Sequence, residues 1–424
     1  MASKRRPDPS ALPPGEPKEL LELTLTGMAY GGDAFGREAS GRMVFVPFAL
    51  PGEQVRVRLD EIHDRWARGS APEVVIPSTD RVDPRCRHFG VCGGCHYQHL
   101  SYPAQLRAKA DIVRAQLERL GGFDSPPVEP TVPSPEPWNT RNHLQFSVNR
   151  KGKLGFQEAG SHRIIAIEEC HLPDATLADL WPRVDLQPVP GLLRVALRSG
   201  SAEEPMIVFE AETEPNVELA LDLPASVVWL GPGGASVLAG SGRLVQKVLG
   251  RPFFVSAGSF FQVHTLLAGE LVRRALEALL PQPGETFFDL YAGVGLFSAF
   301  LAAAGARVVA VEESPSACAD FEANLAEFDS VELYEAPVQL ALPAIRARPD
   351  GALVDPPRAG LEREALEALT AASPARLVYV SCDPATLARD GMRLAEAGYR
   401  LERVTPIDLF PQTYHIETLS LWLR

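Results

Sequence analysis

Cys382 stands at the end of an apolar run and is followed at once by Asp-Pro, in the stretch YVSCDPATLARD at 379–390. A thiolate is a strong nucleophile, and a strand end in an α/β sheet opens onto the crevice where ligands bind. Taken alone, a free cysteine is more often a small buried hydrophobe, so a chemical role needs an electrophile and a base nearby. A lone glutamate is more often surface charge, yet Glu417 lies in YHIETLSLWL, an otherwise apolar β-type run in which an unpaired carboxylate would be costly. Asp383 is a second carboxylate, although it could simply cap the helix that begins after Pro384.

A ligand site is visible upstream. FFDLYAGVGLFS places Gly293 and Gly295 directly after an apolar strand and before a helix, where backbone can approach a ligand closely. The next strand, ARVVAVEES, ends in Glu312, at the distance where an acidic residue accepts hydrogen bonds from a ribose. No third glycine completes the dinucleotide fingerprint and no G-K-[ST] follows, so NAD and a P-loop are both disfavoured. S-adenosyl-methionine, with a ribose and no phosphates, fits better. Asp355 ends a later strand in ALVDPPRAGL, and the strand ends carrying Glu312, Asp355 and Cys382 are expected to converge on one crevice.

Four further cysteines form a second group. Cys86, Cys92 and Cys95 lie in CRHFGVCGGCHYQH as C-x5-C-x2-C, and Cys170 follows in IEECHLPD. Four thiolates suit zinc or an iron–sulfur cluster equally on ligand count. The spacing is not the C-x3-C-x2-C of radical enzymes. Cys318 falls on an expected helix as a buried thiol.

These residues must be positioned by the elements around them. The chain of 424 residues is long enough for two or three domains, and 46% hydrophobic with 22% charged residues is ordinary for a globular protein. No stretch approaches eighteen uninterrupted apolar residues and no apolar run follows the basic N-terminus, so a cytoplasmic location without membrane contact is expected. The net charge is -13, but it is unevenly spread: residues 1–120 hold 17 Lys and Arg against 15 Asp and Glu, and the remainder 24 against 39. Charge therefore gives no positive evidence for a nucleic-acid partner.

Residues 1–17 read as a Pro-rich flexible tail. Short alternating strands with Gly and Pro turns over 18–78 predict a small β-barrel. A helix is expected over 104–120, then a Pro-rich connector, PPVEPTVPSPEPW, and a β-rich unit that completes a central domain at 79–254. From 255 to 424 apolar strands alternate with amphipathic helices, which predicts a doubly wound, Rossmann-like α/β domain.

SFFQVH (259–264), DLYAGVG (289–295), VDPPRAG (354–360), YVSCDPATLARD (379–390) and PIDLFPQTYHIET (406–418) together resemble the RNA uracil-5-methyltransferases that use S-adenosyl-methionine. The front half resembles a TRAM domain, an OB-like RNA-binding barrel, and the four cysteines resemble the iron–sulfur site of the branch that modifies 23S ribosomal RNA. The bacterial transfer-RNA branch lacks both additions. The resemblance implies a class I methyltransferase domain with Cys382 as nucleophile, Glu417 as base, and Gln262, Tyr291, Gly293, Gly295, Glu312 and Asp355 at the cofactor. It also implies a [4Fe–4S] cluster on Cys86, Cys92, Cys95 and Cys170, with zinc as the alternative, in a monomer acting on RNA. His264, Leu296 and Ala336-Pro337 depart from the usual pattern.

The implied chemistry has a physical logic. C5 of uracil is too weakly nucleophilic to take a methyl group unaided; addition of a thiolate at C6 pushes electron density to C5, and a base then removes the C5 proton so that the thiol can leave. The target base must be flipped from folded RNA, for which Phe260, Phe261 and Phe410 are candidate stacking groups. Competing readings are a transfer-RNA uracil-5-methyltransferase, a cytosine-5 methyltransferase, which would carry a second active-site cysteine, and a non-catalytic RNA-binding redox sensor, which would need neither Cys382 nor Glu417.

Overall fold

The structure, a computed structural model, describes residues 20–149, 152–184, 186, 189–201, 204–212 and 224–424; the expected tail at 1–17 lies outside them. It divides into two compact units, through Arg81 and from Val82.

In the first unit β1 (Leu20–Met28), β2 (Ala34–Arg37), β3 (Met43–Val46), β4 (Gln54–Ile62) and β5 (Trp66–Ile76) close into a barrel in the order β1-β2-β3-β5-β4. Strict alternation builds it: Leu23 and Leu25, Val44 and Val46, and Val55, Val57 and Leu59 point inward and are buried, while the residues between them face out. Closure leaves no free sheet edge.

The second unit opens with the cysteine-bearing loop and α1 (Tyr102–Arg119), two residues earlier at its start than the periodicity predicts because Pro103 fits the first helical turn. A seven-stranded sheet follows. It comprises β6 (His143–Val148), β7 (Leu154–Gln157), β8 (Ile164–Ala166), then, past the short α2 (Ala175–Leu180), β9 (Leu192–Arg198), β10 (Met206–Ala211), β11 (Ser226–Gly231) and β12 (Gly234–Ala239). Their order is β12-β11-β10-β9-β6-β7-β8. Both faces of its middle strands are buried, Val195, Leu197, Ile207 and Val227 on one side and Ala196, Met206, Val208 and Val228 on the other, so these strands read as continuous apolar runs.

The hairpin of β13 (Arg243–Val248) and β14 (Arg251–Ser256) leads into α3 (Thr265–Leu279) and the last sheet. There β15 (Thr286–Leu290), α4 (Leu296–Ala303), β16 (Arg307–Glu312), α5 (Pro315–Leu325), β17 (Val331–Glu335), α6 (Val338–Ala341), β18 (Gly351–Val354), α7 (Arg363–Ala372), β19 (Arg376–Ser381) and α8 (Pro384–Glu396) alternate. The chain ends in β20 (Arg400–Ile407) and β21 (Glu417–Leu423). The sheet order is β17-β16-β15-β18-β19-β21-β20, parallel except for β21, which runs antiparallel between β19 and β20. The Pro-rich connector lies along the outer edge of β20, where Glu129 N–H donates to Val404 O (2.9 Å) and Val132 N–H to Pro406 O (2.8 Å). An edge is where prolines, lacking an N–H, can be accommodated.

One buried carboxylate ties the hairpin to the last sheet. Asp320 on α5 accepts the Ser256 N–H and Oγ–H (both 2.7 Å) and the Ser259 hydroxyl (2.6 Å). Asp320→Ala removes the acceptor shared by the partly buried Ser256 N–H and hydroxyl and the buried Ser259 hydroxyl, and is expected to cost about 2 kcal/mol; urea denaturation measures it, and a loss below about 0.5 kcal/mol would show the tie to be dispensable.

Candidate active site

The C-terminal ends of β15, β16, β18 and β19 carry Tyr291, Glu312, Asp355 and Cys382, so all four predicted positions lie on one edge of the sheet. Gln262, from the loop between β14 and α3, joins them by donating to Asp355 Oδ2 at 3.3 Å.

Cys382 and Glu417 meet through strand register. β19 and β21 pair antiparallel with Val380 opposite Leu419 and Ser381 opposite Thr418; one step further sets Cys382 against Glu417. Thr418 reinforces the end of this ladder, its hydroxyl donating to Ser381 O at 3.0 Å. Asp383 is otherwise engaged. Its carboxylate accepts the Ala385 and Thr386 N–H groups (2.9 and 3.0 Å) and caps α8.

Burial dominates the electrostatics. The Cys382 thiol is pushed up to about 12 by burial and by Glu417, with Arg358 opposing, so the resting group is a thiol and must lose its proton as it attacks. Glu417 is buried and raised well above the usual carboxylate range, first by burial and then by Asp355. A carboxyl raised in this way binds a proton more tightly than an ordinary carboxylate, so once ionised it is a stronger base.

The glycine loop is shaped by contact. Gly295 has φ +88°, and a Cβ there would fall 2.2 Å from Leu325 Cδ1, whereas at Gly293 it would meet nothing within 4 Å. The first needs glycine for packing; the second leaves open space above the backbone for a ligand. Tyr291, a non-glycine residue at φ 64°, precedes them, a strained conformation of the kind that persists at ligand sites. Glu312 is held by three backbone N–H groups, those of Gly293 (2.8 Å), Glu313 (3.0 Å) and Ser314 (2.8 Å). A carboxylate has about four acceptor positions, which leaves room for a further donor. Tyr291 and Glu312 line a cavity of about 90 Å³ with Ala336, Val338, Gln339 and Gly360.

Three residues here escaped the sequence reading. Asp289 is fully buried, accepts the Ser298 hydroxyl at 2.6 Å on Oδ2 and keeps Oδ1 without a partner; its place inside an apolar strand was the available signal. Gln339 presents a polar group where Ala336-Pro337 offers none, one turn further along than the pattern was read. Arg358 lies in the quoted VDPPRAG stretch, yet only the fold brings it beside Cys382 and Glu417.

The departures from the usual pattern have structural reasons. His264 caps α3, its Nδ1 accepting from Leu267 N–H (3.4 Å) while Nε2 shares a hydrogen bond with Ser134 Oγ (2.7 Å). Leu296 begins α4 as a buried core residue. Of the three aromatic candidates, Phe261 is buried core and cannot stack on a ligand, Phe410 packs partly on that core, and Phe260 is 66% exposed.

Cys86, Cys92, Cys95 and Cys170 line a single cavity of about 400 Å³ and are all free thiols. Among the described residues no set of three or more metal-type side chains stands at ligating separation, so the four are gathered round one space without being closed on a common point. Arg358 lines the same cavity. Cys318 is buried on α5, as expected.

The acidic groups imply a pH response. Burial raises Asp289 to about 6 and Asp355 to about 7, above the ordinary ~3.9 of an unfolded aspartate. A raised folded pKa contributes stability that is complete below the unfolded value and is lost as pH climbs through the folded one. The Tm of the ligand-free chain should therefore fall from about pH 4, the unfolded value, to about pH 7, the higher of the folded values, and Asp355→Asn should flatten part of that fall; identical profiles for the two proteins would refute it.

Comparison with known proteins adds to this geometry. The family model described as tRNA (Uracil-5-)-methyltransferase matches residues 348–424, and that of the TRAM domain matches 17–71. An uncharacterized RNA methyltransferase of Streptomyces avermitilis is 32% identical, with 95% of this chain and 98% of that protein covered. One of Gloeobacter violaceus is 34% identical over 96% and 98%. Among solved structures, the Pyrococcus abyssi tRNA (uracil-54, C5)-methyltransferase in complex with S-adenosyl-L-homocysteine is similar with a TM-score of 0.74, 26% identity and coverage of 95% and 99%.

Proposed function

We propose, for a chain that belongs to the S-adenosyl-methionine-dependent RNA uracil-5-methyltransferase family, that Cys382 and Glu417 carry out methylation of a uridine C5 through a covalent adduct. The observation that carries this reading is the β19–β21 register, which sets a thiol against a buried carboxyl at the mouth of the cofactor crevice.

Cys382 gives its proton to solvent water and its Sγ, as a thiolate, adds to C6 of the uracil, the C5–C6 electron pair moving into an enolate. S-adenosyl-methionine, when bound, supplies an electrophilic methyl group on a sulfonium, and C5 takes it. Glu417, acting in its carboxylate form, which the nearby Arg358 favours, then accepts the C5 proton, the C5–C6 double bond re-forms and the thiolate is expelled. Glu312 would hold the ribose, Tyr291, Gly293 and Gly295 would shape the wall beside it, and Gln262 and Asp355 would lie toward the reacting atoms.

RNA is the substrate class of the family. The TRAM barrel supports its capture with a row of rings in which Trp66 stacks on His63 at 4.2 Å and meets Phe45 edge-on at 6.4 Å, a surface able to stack bases. Ribosomal RNA is our preferred target, because the chain pairs a TRAM barrel with four clustered cysteines. Transfer RNA is the second reading, favoured by what the Pyrococcus abyssi protein is named for. The four thiols fit a [4Fe–4S] cluster in donor type and in sharing one cavity; bound there, it would tie the 86–95 loop to Cys170.

Two experiments test this reading. Cys382→Ala should abolish both methyl transfer and any covalent RNA adduct, whereas Glu417→Gln should accumulate a methylated RNA–protein adduct that survives denaturing electrophoresis. Normal turnover by either variant would sink the assignment of that residue. Mapping of 5-methyluridine in ribosomal and transfer RNA from a deletion strain separates the two substrates. Anaerobically purified protein should contain iron and sulfide; one zinc per chain in their place would refute the cluster.

A further inference from the structure

Glu417 is the first residue of β21, and the segment that delivers it, 408–416, passes over the catalytic edge of the sheet with little regular hydrogen bonding of its own. What holds this segment comes from far away in sequence. Lys109, on α1, is completely buried and directs its ammonium at three acceptors within the segment: Asp408 Oδ1 at 2.6 Å, His415 O at 2.8 Å and Phe410 O at 3.0 Å. An ammonium has three donors and no acceptor, so every proton of Lys109 is used on the segment, at both of its ends.

Gln105, one turn earlier on α1, grips the middle. Its Nε2 donates to Gln412 Oε1 at 3.0 Å, and its Oε1 accepts from the Gln412 N–H at 3.1 Å. The N–H groups of His96 and Tyr97, directly after Cys95, both donate to Gln412 O at 2.9 and 3.0 Å. Gln412 has φ 68° and is buried, a left-handed conformation that a non-glycine residue keeps only where its surroundings over-determine it.

We propose that Lys109 and Gln105 are positioning residues for proton abstraction: they clamp the 408–416 segment from α1, and thereby fix where Glu417 meets the C5 proton. The proposal rests on the assignment of Glu417 as base. It also gives the cysteine-bearing loop a mechanical link to catalysis, through His96 and Tyr97, that no cofactor contact requires. The clamp acts on the last step alone, since Cys382 is held by β19 and the cofactor wall by β15 and β16.

Removal of Lys109 alone would strand the Asp408 charge in the interior, so the test uses Lys109→Met/Asp408→Asn, which removes both charges, and separately Gln105→Met, which removes only neutral hydrogen bonds. For each, expected results are a kcat reduced about 100-fold with KM for RNA within about threefold, unchanged S-adenosyl-methionine affinity, and a methylated covalent adduct that builds up during turnover. Amide hydrogen exchange over 408–417 should quicken at least about tenfold, while exchange in β15 and β16 stays as in the unaltered protein. Wild-type kcat and wild-type exchange in both variants would overturn the proposal, as would a fall in kcat without adduct. If the double variant does not fold, Gln105→Met decides by the same criteria. An unaltered chain that methylates no uridine C5 refutes the catalytic reading instead, and the exchange comparison still decides whether the clamp exists.

Discussion

The antiparallel insertion of β21 between two strands that run the other way is the constraint on which the site depends. A parallel sheet brings strand ends to one edge, but every residue it offers there comes from a strand that is finishing. β21 starts at that edge. Its first residue, Glu417, therefore arrives beside the last residues of β19, and the hydrogen-bond ladder sets the approach between carboxyl and thiol to within one register step. A slip of one residue would turn Glu417 to the opposite face, which gives the buried hydroxyl contacts at Thr418 and Ser420 a role in holding the ladder in place.

The same edge concentrates acidity in a region of low polarity. Asp289, Asp355 and Glu417 are all pushed toward the neutral form by burial, and Asp289 further raises Asp355, which in turn raises Glu417. Such a cluster is unfavourable in isolation and is relieved by a cation. Arg358 supplies one from the protein, and a sulfonium is another, so the charge that makes the empty crevice unfavourable suits the group the family uses. Substrate and cofactor would then meet among groups whose pKa values are strongly perturbed, a common arrangement at reaction centres.

The cysteine loop, α1 and the Pro-rich connector form a brace around the end of the last sheet. The connector borders β20, α1 reaches the loop between β20 and β21 through Lys109 and Gln105, and the cysteine loop reaches the same turn through backbone N–H groups. Residues about 300 positions apart in sequence are thus joined at this edge, within the compact unit that begins at Val82.

Much of this was legible in the residues. Alternation of apolar residues gave away the barrel, the change to helix-and-strand texture after residue 255 marked the last sheet, and the strand-end positions of Glu312, Asp355 and Cys382 followed from the rule that such ends face one crevice. These are local signals, set by side-chain periodicity and by turn chemistry. What tertiary structure alone decided was pairing and direction: that β21 runs antiparallel, that Arg358 comes near enough to the thiol to act on its charge, that Phe261 turns inward while Phe260 turns out, and that Lys109 neutralises Asp408. No local pattern encodes these, because each depends on which distant backbone supplies the hydrogen-bond partner or the charge.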